Sequence, residues 1–140
     1  MTDLGYWLFK TEPGAWSWEQ QKRRGSKGEP WSGVRNYQAA NNMKAMRRGD
    51  LGLFYHSGDE RRIMGIVEII REYHPDSTDQ SGRFGMVDVK ALEDFPIPVT
   101  LAQIRADPRL SDMVLVKNSR LSVQPVTERE WQIICRAGGV

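Results

Sequence analysis

The amino-acid sequence predicts an α+β protein in which helices pack around a small, mixed and mostly antiparallel β-sheet or barrel. Several short apolar segments alternate with period two or are rich in aromatic and β-branched residues, which is typical of strands. Helical segments begin at recognisable capping residues. Few of these helices fall between consecutive strands, so a regular βαβ order is not expected. The length of 140 residues suits one domain with one core, predicted over residues 1–140.

The first predicted strand is GYWLFK at residues 5–10, which is aromatic and aliphatic. Because side chains alternate along a strand, Lys10 should share a face with Tyr6 and Leu8. Residues 15–24 then predict a short helix that ends at a glycine.

Residues 36–47 predict a second helix with Asn36 as its N-cap, and Gly49 closes its C-terminal end. One stripe of this helix is expected to contain Tyr37, Ala40, Met43 or Lys44, and Arg47.

Two apolar segments at residues 51–57 and 63–73 predict a β-hairpin, because the polar sequence GDERR separates them. Alternation leaves Phe54 and Tyr55 on opposite faces of the first of these strands. One of the two is therefore expected in the core, and Tyr55, which carries a hydroxyl group, is the better candidate for a site.

The middle of the chain predicts a loop followed by extended segments. Residues 74–85, HPDSTDQSGRFG, are rich in Pro, Asp, Ser and Gly and indicate a loop inside the domain. Residues 86–92 alternate with period two, and FPIPV at 95–99 is extended, with prolines suited to a sheet edge. A helix over residues 100–106 follows, capped by Thr100.

The last helix is predicted at residues 127–136, where Thr127 and Glu130 form a capping box. Its buried stripe is predicted to contain Trp131, Ile134 and Cys135.

Composition and charge exclude several classes of protein. The chain has one cysteine, no apolar run long enough for a membrane span and no secretory signal, so a cytoplasmic protein without disulfides is expected. Net charge is only +2, yet residues 1–62 carry +4 and residues 63–140 carry −2. The basic half could attract a polyanion or could simply be a solvated surface. Five tryptophans in so short a chain suggest a stacking surface.

Known catalytic and metal-binding patterns are not evident in the sequence. His56, His74 and Cys135 are too few and too scattered for a zinc site, so neither a metal nor another cofactor is expected. His56 and Ser57 are adjacent in a strand and would point to opposite faces, which argues against a nucleophile–base pair. Cys135 lies on an apolar helix stripe and is expected to be inert. Glu12 could act as a general base if it were desolvated.

Four segments in order resemble the EVE domain family: WLFKTEP at 7–13, WSGVRNYQA at 31–39, LFYHS at 53–57 and KNSRLSVQPV at 117–126. The resemblance covers nearly the whole chain. It implies a PUA-like pseudobarrel of five or six strands with peripheral helices, similar in fold to YTH and ASCH domains. It also implies a ligand class, a modified base of nucleic acid and especially a modified cytosine of DNA, while a modified base of RNA stays an alternative.

The segment EPWSGVRNYQA at residues 29–39 is the richest in recognition chemistry. Trp31 could stack on a base or plug the core. Asn36 could cap a helix, read a base edge or do both. Arg35 could bind a phosphate or pair with Glu12. The remaining candidates of this segment are Gly33, for close backbone approach or a turn, Val34, and Tyr37, whose backbone N–H lies at a helix N-terminus.

Further candidates come from the ends of other predicted strands. Lys10, Thr11 and Glu12 would bring a charge pair and a hydroxyl group to one rim. His56 and Ser57 could add contacts to a base edge or a phosphate. In the last motif, Leu121 and Val123 alternate with polar residues, which predicts a strand with a core face and a site face. The polar residues of that motif are Asn118, Arg120 and Ser122.

The sequence therefore predicts a non-catalytic reader that binds a modified nucleobase within nucleic acid. No association with a membrane is expected. Two other classes remain open. One is an enzyme that acts on a nucleobase or nucleotide with Glu12 or His56 as acid or base. The other is a protein–protein interaction module whose aromatic cluster meets a partner.

Overall fold

The computed structural model describes residues 4–140, so residues 1–3 of the predicted domain lie outside the described range. The strands are β1 (Tyr6–Thr11), β2 (Glu29–Pro30), β3 (Leu51–His56), β4 (Arg62–Pro75), β5 (Gly85–Thr100) and β6 (Val123–Val126). The helices are α1 (Trp18–Arg23), α2 (Tyr37–Ala45), α3 (Leu101–Ala106), α4 (Val114–Lys117) and α5 (Glu128–Gly138). Within residues 4–140, no helix is long and apolar enough to cross a membrane.

The six strands form one mixed sheet in the order β2-β5-β4-β3-β1-β6. The β1–β3 pair is parallel, and the other pairs are antiparallel. The α+β class, the mixed sheet and the predicted hairpin of β3 and β4 are confirmed. Parallel pairing brings the carboxyl ends of β1 and β3 to the same edge, where Lys10 lies opposite Tyr55 and Thr11 opposite His56.

Each face of this sheet carries its own buried apolar cluster. One cluster packs under α3, α4 and α5 and includes Leu8, Tyr55 and Ile134. The other packs on the opposite face and includes Phe9 and Phe54. The expectation that only one of Phe54 and Tyr55 belongs to the core is therefore wrong, because both faces of β3 are covered.

Helix α2 begins as predicted, because the Asn36 side-chain oxygen accepts a hydrogen bond of 2.9 Å from the Ala39 backbone N–H. The helix ends at Ala45, two residues before the predicted end. Its buried residues are Ala39, Ala40 and Met43. Tyr37 is 61% exposed and does not belong to the buried face, which corrects the predicted stripe.

Helix α1 begins at Trp18 rather than at residue 15. The side chain of Ser17 accepts from the Gln20 backbone N–H, and the Gln20 side chain accepts from Ser17, which forms a capping box. Trp16 therefore lies before the helix, in the connection from β1.

The later elements differ from the prediction in two places. FPIPV belongs to the long strand β5, and β2 pairs with that strand only at Asp88 and Val89. The prolines therefore lie on an open stretch of strand, as expected. The strand predicted around Arg120 and Ser122 begins only at Val123, because a turn follows the unpredicted helix α4.

The last helix confirms its predicted capping box between Thr127 and Glu130. Trp131 and Ile134 are buried, whereas Cys135 is only half-buried.

Candidate functional site

A cavity of about 500 Å³ opens beside the carboxyl end of β1. Its walls come from β1, the connection to α1, and the segment from β2 to the start of α2. It is lined by Lys10, Thr11, Ala15, Trp16, Glu29, Pro30, Trp31, Ser32, Gly33, Val34, Arg35 and Ser122. The structure thus brings together seven residues that the sequence nominated: Lys10, Thr11, Trp31, Gly33, Val34, Arg35 and Ser122.

Trp31 lies in the core and lines the cavity at the same time. It is 7% exposed, and its ring meets Phe9 edge-on at 5.1 Å and Phe54 at 5.7 Å. Its backbone N–H donates to the Val87 carbonyl at 2.7 Å, which continues the pairing of β2 with β5. The core and site interpretations of Trp31 therefore do not exclude each other.

Trp16 provides a second indole at the cavity wall. Its Nε1–H donates to the side-chain oxygen of Gln21 at 2.9 Å, and Gln21 in turn donates to the Val89 carbonyl at 3.2 Å. The Trp16 backbone carbonyl accepts a hydrogen bond of 3.0 Å from the Thr11 hydroxyl. One hydrogen bond therefore fixes the indole and the other fixes the backbone of Trp16, although the residue is only partly covered.

Asp76 fixes the loop of the WSGVR segment through hydrogen bonds. Its buried carboxylate accepts from the backbone N–H of Gly33 at 2.8 Å and from Nη1 of Arg35 at 3.1 Å. Thr78 adds bonds from its backbone N–H at 2.7 Å and its hydroxyl group at 2.6 Å. Burial alone would raise the pKa of Asp76, but the hydrogen bonds from Thr78, Gly33 and Arg35 outweigh it and lower the pKa to about 2.

Arg35 is therefore paired with Asp76, and not with Glu12 as one alternative from the sequence had it. Its Nη2 also donates to the Thr78 hydroxyl at 2.9 Å. The guanidinium group lies 5.8 Å from the ring centroid of Phe84, which packs against the exposed Tyr37 ring at 4.9 Å. Arg35 thus connects the cavity to the partly covered Phe84 ring and the exposed Tyr37 ring.

Lys10 marks the other side of the cavity. Its Nζ donates to the Ser119 carbonyl at 2.7 Å and lies 5.9 Å from the ring centroid of Tyr55. Half-burial lowers the pKa of this lysine from its usual value by desolvation. Its backbone N–H donates to the Ser122 carbonyl at 2.8 Å, which ties the last motif to the cavity rim.

The structure places the other nominated residues outside the cavity. Glu12 and Ser57 line a neighbouring surface depression, and Tyr55 and Ser57 line a second, smaller pocket beyond Lys10. Asn36 and Tyr37 lie at the start of α2, next to Arg35. The exposed Arg120 follows Asn118 in the turn after α4.

His56 is engaged within the fold. Its Nε2 accepts from the Trp18 backbone N–H at 3.0 Å, and its Nδ1 is 2.8 Å from the Glu60 carboxylate. These partners fit a neutral ring that carries its proton on Nδ1. Both nitrogens are therefore occupied, and the ring is buried.

The Cys135 thiol and the metal-binding side chains were also candidates for chemistry. Burial, together with the charge of Glu93, raises the pKa of the Cys135 thiol to about 11, which keeps it protonated. Among residues 4–140, no group of three His, Cys, Asp or Glu side chains is placed to hold a metal ion.

Sequence reasoning missed Trp16 and Asp76 as parts of the site. The sequence S-x-x-Q at residues 17–20 is a readable capping box, and it would have placed Trp16 outside the helix. Asp76 carried no comparable signal, because it lies in a polar loop more than 40 residues from its partners.

The sequence and the fold resemble those of known proteins. A family model described as the EVE domain matches residues 5–137. Human thymocyte nuclear protein 1 is 30% identical over an alignment that covers 92% of this chain and 72% of the human protein. A crystal structure of a protein from Agrobacterium tumefaciens has a TM-score of 0.94 at 53% identity, covering 97% of this chain and 94% of that one. The crystal structure of human THYN1 protein in complex with 5-methylcytosine containing DNA has a TM-score of 0.90 at 30% identity, covering 97% and 98%.

Proposed function

The chain belongs to the EVE domain family and has its PUA-like fold, and on that premise we propose that it is a non-catalytic reader of nucleic acid. It takes a modified nucleobase, in the first place a modified cytosine of DNA, into the cavity between Trp16 and Trp31. The complex of the human relative with 5-methylcytosine containing DNA supports this ligand class.

The observation that carries the proposal is a cavity with two indoles at its wall. Its volume of about 500 Å³ falls within the range of small-molecule sites, roughly 300–1,000 Å³. A base that flips out of a nucleic-acid duplex loses stacking and pairing interactions worth a few kcal/mol. Stacking on an aromatic side chain returns about 1–3 kcal/mol per base, so aromatic walls are what such a cavity needs.

The polar groups at the cavity can hydrogen-bond to the edge of a base and attract the phosphates of its strand. The loop from Ser32 to Val34 lines the cavity, and Asp76 fixes this loop in place. A preorganised loop reads donors and acceptors of a base at a low entropic cost. Lys10 and Arg35 also line the cavity, and their positive charges attract the phosphates.

An enzyme is the weaker candidate because neither proposed acid–base residue lines the cavity. Glu12 faces a separate depression, and His56 uses both ring nitrogens inside the fold. A general acid or base must come within hydrogen-bond reach of the reacting group. The lone, unreactive Cys135 also fits the proposed cytoplasmic location.

The proposal is tested by titrating the wild-type protein with a panel of matched oligonucleotides. DNA duplexes, single DNA strands and RNA strands each carry one modified or unmodified cytosine or adenine at the same position. Tighter binding of one modified base supports a reader and identifies its ligand. Conversion of the bound base into a product supports the enzyme, and no binding of any oligonucleotide overturns the proposal.

A further inference from the structure

We propose that a second, smaller pocket beyond Lys10 binds a phosphate group of the strand whose base occupies the cavity. This inference rests on the proposed function and extends it. The pocket has a volume of about 210 Å³. It is lined by Lys10, Tyr55, Ser57, Gly58, Arg61, Leu101, Arg105, Leu115 and Ser119.

Three cationic side chains from distant parts of the sequence converge on this small pocket. Lys10 comes from the end of β1, Arg61 from the turn before β4, and Arg105 from the last turn of α3. None of the ion pairs within residues 4–140 includes any of the three. Like charges brought together without a counter-ion repel each other, so the arrangement calls for an anion.

The ammonium group of Lys10 has further N–H donors that could bind such an anion. One N–H of its ammonium group reaches the Ser119 carbonyl, and an ammonium group has three donors. The two arginines present planar forks of N–H groups that match the oxygens of a phosphate.

The backbone of Arg61 is held in an unfavourable conformation. Its φ of 46° makes it the one residue other than glycine with a positive φ among residues 4–140. Its carbonyl accepts a hydrogen bond of 2.9 Å from the Leu101 N–H at the start of α3, which fixes the turn against the helix that carries Arg105. Such strained residues are often found at ligand sites.

Tyr55 forms part of the pocket wall. Burial raises the pKa of its hydroxyl, while the charges of Arg61 and Arg105 act in the opposite direction. Both arginines line the same pocket as this tyrosine. A phenolic O–H is also a hydrogen-bond donor that suits an anion.

Two carboxylates lie near the arginines and could neutralise part of their charge. Asp59 and Glu60 line an adjacent depression together with Arg61 and Arg105. Glu60 is hydrogen-bonded to His56 at 2.8 Å and forms an ion pair with Arg62 at 3.2 Å, so Arg62 compensates its charge. Neither carboxylate lines the pocket itself.

The two pockets are connected through Lys10, which lines both. A strand whose base lies on one side of this lysine can pass its sugar–phosphate backbone over it and place a phosphate on the other side. The base cavity supplies selectivity, and the second pocket fixes the backbone.

The experiment compares the salt dependence of oligonucleotide binding for Arg61→Gln, Arg105→Gln and the wild-type protein. The control is Arg129→Gln, which removes an exposed charge from the first turn of α5, at the Tyr6 end of β1 and away from Lys10. The probe is the oligonucleotide that binds best in the panel above. Thermal unfolding midpoints establish that each variant is folded.

We expect each pocket variant to flatten the slope of log K against log salt by about 0.7–0.9, as the loss of one phosphate contact does. The control should keep the wild-type slope. The free modified nucleoside, which has no phosphate, should bind the pocket variants as it binds the wild-type protein.

Wild-type slopes in both folded pocket variants would overturn this inference while the reader function stands. Loss of nucleoside binding in the variants would also overturn it, because the arginines would then act on the base. Weaker binding of a nucleoside 5′-monophosphate with an unchanged oligonucleotide slope would assign the pocket to a free nucleotide instead of a strand. Failure of the wild-type protein to bind any oligonucleotide would overturn both proposals.

Discussion

Single side chains in this protein serve the core and the cavity together, and Trp31 is the main example. Its edge-on contacts with Phe9 and Phe54 make it a core residue, yet it lines the cavity. Truncation of a buried tryptophan typically costs about 3–5 kcal/mol of stability. A loss of binding in Trp31→Ala would therefore not separate the two roles.

Trp16 is a better test of the stacking role than Trp31, because it is only partly covered and lies outside helix α1. We expect Trp16→Ala to weaken binding of the modified oligonucleotide by about 1–3 kcal/mol, the contribution of one stacked base. Trp16→Phe should retain most of the affinity, since a flat ring remains. Isothermal titration calorimetry measures both.

The matched control for this prediction is Tyr6→Ala. Tyr6 is also a partly covered aromatic residue of the β1 region, but it stacks on Trp131 at 4.6 Å, far from the cavity. It should lower stability and leave the affinity unchanged. An equal loss of affinity in Tyr6→Ala and Trp16→Ala would contradict the stacking role.

The Asp76 carboxylate is predicted to make stability depend on pH in the acid range. Its pKa is about 2 in the folded protein, against an ordinary value of 3.8. A lowered folded pKa stabilises the protein above pH 3.8, and this contribution is lost as pH falls toward 2. The contribution amounts to about 2 kcal/mol. Urea unfolding between pH 2 and 6 should show this loss in the wild-type protein and not in Asp76→Asn, whereas parallel curves would refute it.

At the scale of elements, the cavity depends on two loops that support each other. The loop from β2 to α2 supplies Trp31, Gly33 and Arg35, and the loop from β4 to β5 supplies Asp76 and Thr78. Neither loop has a regular hydrogen-bonding pattern of its own at these residues. Their geometry therefore depends on the contacts between them.

A substitution at Gly33 can change the conformation of this loop without introducing a steric clash. Its φ is +87°, and a Cβ added there would meet nothing within 4 Å. Gly33→Ala should therefore cost about 1–2 kcal/mol through backbone conformation alone, and it should reduce binding as the loop rearranges. Gly49, with φ of +96° and equally open space, is the matched control.

Gly49→Ala should show the same loss of thermal stability with the wild-type affinity, because its turn lies away from the cavity. If both glycine variants bind as the wild-type protein does, the shape of the Gly33 turn has no part in the site.

Regular elements could be predicted from the sequence because their signals are local. The Asn36, Thr100 and Thr127 caps and the hairpin of β3 and β4 were confirmed. The two-residue strand β2 was not predicted, since two residues carry no period. The role of Asp76 could not be predicted, since it arises from contacts between loops far apart in the sequence.

For the whole molecule, the cavity and one of the two apolar clusters lie on different sides of the sheet. Trp31 belongs to the cluster on the cavity side, whereas Ile134 belongs to the cluster under α5. Binding of the base and stability should therefore be separable by substitutions on different faces of the sheet.

Ile134→Ala is expected to lower the free energy of unfolding by about 2–5 kcal/mol, because Ile134 is fully buried. The affinity of the folded protein for the free modified nucleoside should not change, since Ile134 does not line the base cavity. Chemical denaturation and calorimetry on the same sample measure the two quantities. A large change in affinity without unfolding would show that the two faces are coupled.

The five tryptophans report directly on whether a modified base enters the cavity between Trp16 and Trp31. Each indole N–H gives its own signal in a ¹H–¹⁵N correlation spectrum. Adding the modified oligonucleotide should shift the signals of Trp16 and Trp31. The signals of Trp7, bonded to Asp50, and of Trp131, stacked on Tyr6, should stay in place. The unmodified strand should shift the first pair much less. Equal shifts with both strands, or shifts confined to Trp7 and Trp131, would contradict the account.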